Sequence, residues 1–123
     1  AAEIAMRDMK KNHSLICKLD DYLITKLRNC DNIRTFIPDE FRCKGIISIL
    51  VDRTDFNNER FIKRISDNVA ISTGSACSLG EPSHVIKALG LTDQTSKILR
   101  ISLNKFTTKE DIDLFISVLS RNI

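Results

Sequence analysis

The sequence predicts an α+β fold, a small sheet of about four strands covered by helices. Three observations point to it. Apolar residues recur at helical spacing at both ends of the chain: Ile16, Leu19, Leu23, Leu27 and Cys30 near the start, and Ile112, Phe115, Ile116, Leu119 and Ile123 at the end. Four short β-rich stretches lie between them. The resulting order is helix, strand, strand, helix, strand, helix, strand, helix, which reads as helices layered on one sheet.

The elements follow in order. Ala1 to about Cys30 reads as one helix. No initiating methionine and no capping residue precede Ala1-Ala2-Glu3, so the chain is expected to be the tail of a longer protein. Ile33 to Ile37 reads as a strand stopped by Pro38. A polar loop, Asp39 to Lys44, and Gly45 lead into Ile46–Val51. That nearly continuous apolar run is expected to be a central strand covered on both faces. Thr54, Asp55 and Asn57 offer caps for a helix reaching about Ser66, with Phe61, Ile62 and Ile65 inward. Asp67-Asn68 is a turn, and Val69 to Ile71 is a short strand.

A small-residue loop, Thr73 to Gly80, then carries Cys77. Pro82 suits the first turn of a helix whose apolar face is Val85, Ile86 and Leu89, with Gly90 in the left-handed position after it and Leu91 folding back. Ile98 to Asn104 alternates, with Leu99, Ile101 and Leu103 on one face and Ile98, Arg100, Ser102 and Asn104 on the other. The last helix begins at Thr107-Thr108, where Thr107 and Glu110 have capping-box spacing.

Composition narrows the class. The chain has 123 residues, 42% hydrophobic and 28% charged, enough for one domain with its own core. No apolar run is long enough to span a membrane and no signal peptide is visible. A net charge of +3 is too mild to argue for nucleic-acid binding; Lys10-Lys11 and Arg60/Lys63/Arg64 read as solvated helix faces. The four cysteines, Cys17, Cys30, Cys43 and Cys77, show no metal-ligand spacing, so no metal site is expected. Cys17 and Cys30, about 20 Å apart on one helix, cannot bridge each other. Unpaired thiols without a secretory signal indicate a reducing, cytoplasmic setting.

Two residues stand out for chemistry. Cys17, Cys30 and Cys43 read as small buried hydrophobes. Cys77 differs, because its neighbours are small and polar and its loop restrains the backbone little. That suits a thiol nucleophile that must move, although nothing in the sequence shows what would lower its pKa. Arg100 sits mid-strand, where a charge needs a partner. The partner is either a helix carboxylate, in a structural salt bridge, or a substrate carboxylate gripped through two parallel hydrogen bonds. His84, at a helix start, reads as a surface residue, with a proton shuttle as the alternative.

The runs Ile71-Ser-Thr-Gly-Ser-Ala-Cys77, Glu81-Pro-Ser-His-Val-Ile-Lys-Ala-Leu-Gly-Leu91 and Leu99-Arg-Ile-Ser-Leu-Asn-Lys-Phe-Thr-Thr-Lys-Glu-Asp-Ile-Asp113 carry a resemblance. Together they resemble the C-terminal, small domain of the NifS/IscS-type cysteine desulfurases, in the class V aminotransferase superfamily. The resemblance covers essentially the whole chain, 1–123, as a single domain. It implies the fold of the C-terminal domain of fold-type I pyridoxal-phosphate enzymes.

It implies an activity as well. Sulfur is removed from L-cysteine with the help of pyridoxal phosphate, giving L-alanine and a persulfide on Cys77. Arg100 matches the arginine that binds the substrate carboxylate. The sulfur passes to a protein acceptor: an iron–sulfur scaffold, a tRNA-thiolation protein or a DNA-sulfur-modification protein. The full enzyme would be a homodimer.

The segment Ser78-Leu79-Gly80 is shorter than in the housekeeping iron–sulfur members, which leaves the acceptor open. The cofactor's lysine and most of its other ligands belong to a larger N-terminal domain in that family. Lys44, Lys87 and Lys105 read as surface charges, so no cofactor-binding residue is expected here and the chain alone is expected to be inactive. Its face toward the larger domain would then be exposed and sticky. Two other readings stay open: a stand-alone sulfur-relay or interaction domain that accepts a persulfide on Cys77, and an aminotransferase-like domain in which Cys77 is incidental.

Overall fold

The computed structural model describes residues 2–73 and 83–123. Helix α1 (Ala2–Arg28) opens the chain. Strands β1 (Ile33–Thr35) and β2 (Ile46–Val51) follow, joined by a connection holding a 3-10 turn at Asp39–Phe41. Helix α2 (Asn58–Ile65) is capped by Asn57, whose side chain accepts from the Arg60 N–H. After the short helix α3 (His84–Ala88), a 3-10 segment, Thr92–Lys97, feeds β3 (Ile98–Ser102). Helix α4 (Lys109–Asn122) completes the set.

The three strands form one antiparallel sheet in the order β1-β2-β3, so β2 is central as expected. Alternation along the strands sorts their side chains onto two faces. Ile47, Ile49 and Val51 of β2 and Leu99 and Ile101 of β3 point to the core. Against them pack Leu19, Leu23, Ile24 and Leu27 of α1, Phe61 and Ile65 of α2, and Ile112, Phe115 and Leu119 of α4. Each fully buried leucine or isoleucine in this layer contributes roughly 2 kcal/mol of hydrophobic stabilisation.

The second face is covered only at one end. There Leu50 and Ile98 face each other across the ladder and are buried. The 3-10 segment lies over that end, tied down by Asn58, whose Nδ2 donates to the carbonyls of Thr95 and Ile98 at 2.9 Å. At the other end Ile46, 46% exposed, and Ser102 face outward. The expectation that β2 is covered on both faces therefore holds for half its length. A continuous apolar run does not distinguish a strand buried throughout from one with an open end.

Several expected boundaries move. The fourth strand, Val69–Ile71, does not form among the described residues; Ser72 alone makes an isolated bridge, to Arg100. Val69 and Ile71 pack on the core, and the Val69 N–H caps α2 through the Ile65 carbonyl at 2.9 Å. Those contacts bring the chain to the sheet too late for a ladder. Cys30 lies beyond α1, in the turn before Asn32. The capping box of α4 uses Thr108 and Asp111, one residue later than expected. Thr107 is occupied in the preceding turn, accepting from the Asn104 N–H at 3.1 Å.

One feature has no counterpart in the sequence reading. Asp20 is fully buried on α1. Arg42 donates through both terminal nitrogens to its two oxygens, each at 2.6 Å, while Lys44 donates at 3.3 Å and the Gly45 N–H at 2.8 Å. Burial pushes the Asp20 carboxyl up, but the hydrogen bonds from Arg42, Gly45 and Lys44 outweigh it and hold it below the usual carboxylate value. The cluster clamps α1 onto the entry to β2. Gly45 is required there on two counts. Its φ is +89°, and a Cβ would lie 2.6 Å from the Cγ2 of Ile16.

Candidate functional site

Arg100 lies on the partly open face of the sheet, directly across from Ser48 and between Ile98 and Ser102 along β3. It is half-buried. Its Nε is fully buried and has no hydrogen-bond partner among the described residues. Among the described residues no carboxylate forms an ion pair with it. The structural salt bridge offered as one reading of Arg100 is therefore absent from the described residues. A buried donor left unmatched is costly, by about 1–3 kcal/mol.

The backbone of Arg100 does a second job. Its N–H donates to the Ser72 carbonyl at 2.7 Å, and the Ser72 N–H donates back at 3.2 Å. This reciprocal pair fixes the point where the chain leaves the sheet toward Cys77, five residues further on in the sequence. Cys77 itself lies outside the described residues, as do Glu81 and Pro82.

At the other end of that segment, Ser83 caps α3, its Oγ accepting from the Val85 N–H at 3.3 Å. The end of α3 forms the expected motif. Gly90 has φ +70°, its N–H donates to the Lys87 carbonyl, and the Leu91 N–H donates to the Ile86 carbonyl. Of the expected apolar face, Ile86 is half-buried while Val85 and Leu89 are each 48% exposed. His84 is exposed and makes no side-chain hydrogen bond or ion pair among the described residues, in keeping with a surface residue.

The remaining candidates for chemistry are engaged or exposed. Lys44 pairs with Asp20 and Asp21, Lys105 lies over the Phe106 ring at 5.0 Å, and Lys87 is exposed on α3. None stands in an enclosed site, so these lysines do not fit a pyridoxal group. No group of His, Cys, Asp and Glu among the described residues could hold a metal ion. The cysteines other than Cys77 are free but not core residues: Cys17 and Cys30 are half-buried and Cys43 is exposed. Cys17 sits beside His13, 3.5 Å from Nε2, on the flank of α1 rather than its buried stripe. Cys30 and Cys43 occupy turns, next to main-chain carbonyls. Among the described residues no helix is long and apolar enough to cross a membrane.

Sequence reasoning singled out Arg100 and Cys77 but not Ser72, which ties the one to the approach of the other. A serine at a sheet edge has no distinctive pattern, and only the pairing with β3 reveals its part.

Comparison with known proteins places this site in context. The family model for aminotransferase class V matches residues 1–115. The cysteine desulfurase IscS of Shewanella denitrificans is 34% identical over the whole of this chain, and that of Shewanella amazonensis is 31% identical. The chain spans about 30% of the length of each of these relatives. Among solved structures, a NifS-like protein from Rickettsia africae superposes with a TM-score of 0.81 at 21% identity, over 96% of this chain and 31% of that one. A second NifS-like protein superposes at 0.77, again at 21% identity, over 97% of this chain and 30% of that one. The two superpositions show that the fold is shared.

Proposed function

The chain belongs to the aminotransferase class-V family, and on that premise we propose that it is the C-terminal, small domain of a cysteine desulfurase. The whole protein would remove sulfur from L-cysteine, release L-alanine and leave a persulfide on Cys77. The observation that carries this reading is Arg100, a half-buried guanidinium with an unmatched Nε whose backbone holds the start of the Cys77 segment.

Arg100 would grip the substrate carboxylate with two parallel hydrogen bonds, which a lysine could not supply. That grip fixes the direction in which the substrate sulfur points. The Cys77 thiolate would then attack that sulfur. The new S–S bond forms as the substrate C–S bond breaks, and the carbon left behind takes a proton to become alanine. The terminal sulfur is next given to a thiol of an acceptor protein. An iron–sulfur scaffold, a tRNA-thiolation protein and a DNA-sulfur-modification protein all fit this chemistry. Pyridoxal phosphate, the electron sink of such a reaction, would be held by the part of the protein outside this chain, in keeping with the engaged or exposed lysines found here. A cytoplasmic setting agrees with three free thiols, and the whole enzyme is expected to be a homodimer.

One observation favours a second reading. None of Lys44, Lys87 and Lys105 suits the cofactor, so the 123 residues by themselves would act as a relay that accepts a persulfide on Cys77. Persulfide trapping separates the two. The full-length protein, given L-cysteine and pyridoxal phosphate and then alkylated, is expected to carry one extra sulfur on the Cys77 peptide, with alanine released. A Cys77→Ser variant is expected to release none. Full activity in Cys77→Ser would overturn the desulfurase reading. The 123-residue chain is expected to stay unlabelled alone; labelling only when a separate cysteine desulfurase is added would favour the relay.

A further inference from the structure

A second site lies away from Arg100. The connection from β2 to α2, α2 itself and the end of α4 line an open cavity of about 350 Å³. Four arginines line it: Arg53 from the connection, Arg60 and Arg64 from α2, and Arg121 from the last turn of α4. Arg60 and Arg64 are four residues apart and so share a helix face. Asp55 is the one acidic side chain in the lining, and Arg53 holds both its oxygens, at 3.0 and 2.9 Å. Arg60, Arg64 and Arg121 take part in no ion pair among the described residues.

The lining therefore has a net charge of three positive, equal to the formal charge of the whole chain. A main-chain carboxylate at Ile123 would still leave it positive by two. Arg64 and Arg121 also suit the negative ends of their own helices. That role explains neither Arg60 nor the convergence of three separate segments on one concavity. Arg60, Arg64 and Arg121 are exposed, so water and salt screen much of their mutual repulsion, yet an anion placed among them is attracted by all three at once.

We propose that this pocket binds a small molecule through a diphosphate group. A single carboxylate brings one negative charge and leaves most of the field unbalanced. A diphosphate brings roughly three, about one on its inner phosphate and one and a half to two on its outer one, and presents several acceptor oxygens. Guanidinium forks match those oxygens two at a time. The volume falls at the small end of the range for ligand pockets, about 300–1,000 Å³. An extended acidic peptide would call for a charged stripe along a surface, whereas these arginines line a single cavity. The inference is independent of the desulfurase reading, because Arg100 is not among the residues that line this cavity.

Calorimetric titration of the 123-residue chain with pyrophosphate, near physiological salt, tests it. One-to-one binding is expected. Arg60→Gln, Arg64→Gln and Arg121→Gln should each weaken it about tenfold or more, the usual effect of losing a charged hydrogen bond. Lys63→Gln removes the same charge from α2 at a residue outside the lining, and should change affinity less than about twofold. Melting curves confirm that each variant folds. A nucleoside diphosphate binding more tightly than pyrophosphate would identify a nucleotide as the source of the group; equal affinity would show that the diphosphate alone is read. The proposal is overturned if pyrophosphate does not bind, if Lys63→Gln weakens binding as much as the pocket variants, or if an oligo-aspartate peptide binds more tightly.

Discussion

Arg42 and Arg100 are both drawn into the body of the protein, yet the fold treats them in opposite ways. The Arg42 side chain is 5% exposed and meets a full set of acceptors: both oxygens of Asp20, plus Asp39 at 2.7 Å. Arg100 is half-buried, and its Nε is the one buried side-chain nitrogen or oxygen without a partner among the described residues. Hydrogen bonding to Asp20 raises the Arg42 pKa, as expected of a guanidinium locked in an ion pair. The contrast separates two uses of one side chain. Where the chain supplies the counter-ion it has built a clamp; at Arg100 the described residues supply none, and the proposed function assigns that place to the substrate carboxylate.

The largest effect should come from breaking the clamp. Asp20→Ala leaves Arg42 buried with only the exposed Asp39 as a partner, and breaking a buried pair in this way typically costs about 3–5 kcal/mol. Urea unfolding of the chain measures it, and a loss below about 1 kcal/mol would place Arg42 with Arg100 and end the contrast. Acid probes the same group. The Asp20 carboxyl is held below its unfolded value of about 3.9, so its stabilisation is complete above that pH. The contribution disappears as pH falls through the lower, folded value, because the unfolded chain takes up the proton first. Melting temperature should therefore drop more steeply on acidification in the wild type than in Asp20→Ala.

A smaller effect is expected at Gly45, which supplies the clamp with its main-chain donor. Gly45→Ala puts a methyl into contact with Ile16 at a φ that disfavours any side chain. About 2 kcal/mol of destabilisation should follow, from overpacking and backbone strain together. If Gly45→Ala in an Ile16→Ala background recovers most of that loss, steric contact dominates; if it recovers little, the backbone conformation does.

These positions also show what was legible in the sequence. Periodicity located both long helices and the central strand, because burial of one helix face or one strand writes itself into spacing. Arg100 was conspicuous for the same reason, as a charge inside an apolar alternation. Asp20 was not, although it too lies beside the buried stripe of α1. Its partners, Arg42 and Lys44, are more than twenty residues away in a stretch that reads as an ordinary polar loop. Helix periodicity tolerates one charged residue at its margin, so nothing local marks Asp20 as buried. Ser72 escaped notice in the same way, since one bridge with Arg100 leaves no alternation to detect. Long-range polar pairing is the level of organisation that a single sequence carries least visibly.

The smallest effect on stability, and the sharpest discrimination, is expected at Arg100. Arg100→Met keeps the length of the side chain and its packing on β3 while removing the unmatched donor. Loss of that donor relieves part of a cost of about 1–3 kcal/mol, so the variant should be as stable as the wild type or up to about 1 kcal/mol more stable. In the full-length protein the same change should raise the KM for L-cysteine by about a hundredfold, the scale of a lost charge-assisted pair, and Arg100→Lys should restore little of it. The two measurements have to agree. A variant that is both unstable and weakly binding would make Arg100 a structural residue whose partner lies elsewhere in the protein. A variant that is stable and weakly binding would show that the unmatched nitrogen is kept for the substrate, and that the fold bears its cost for that purpose.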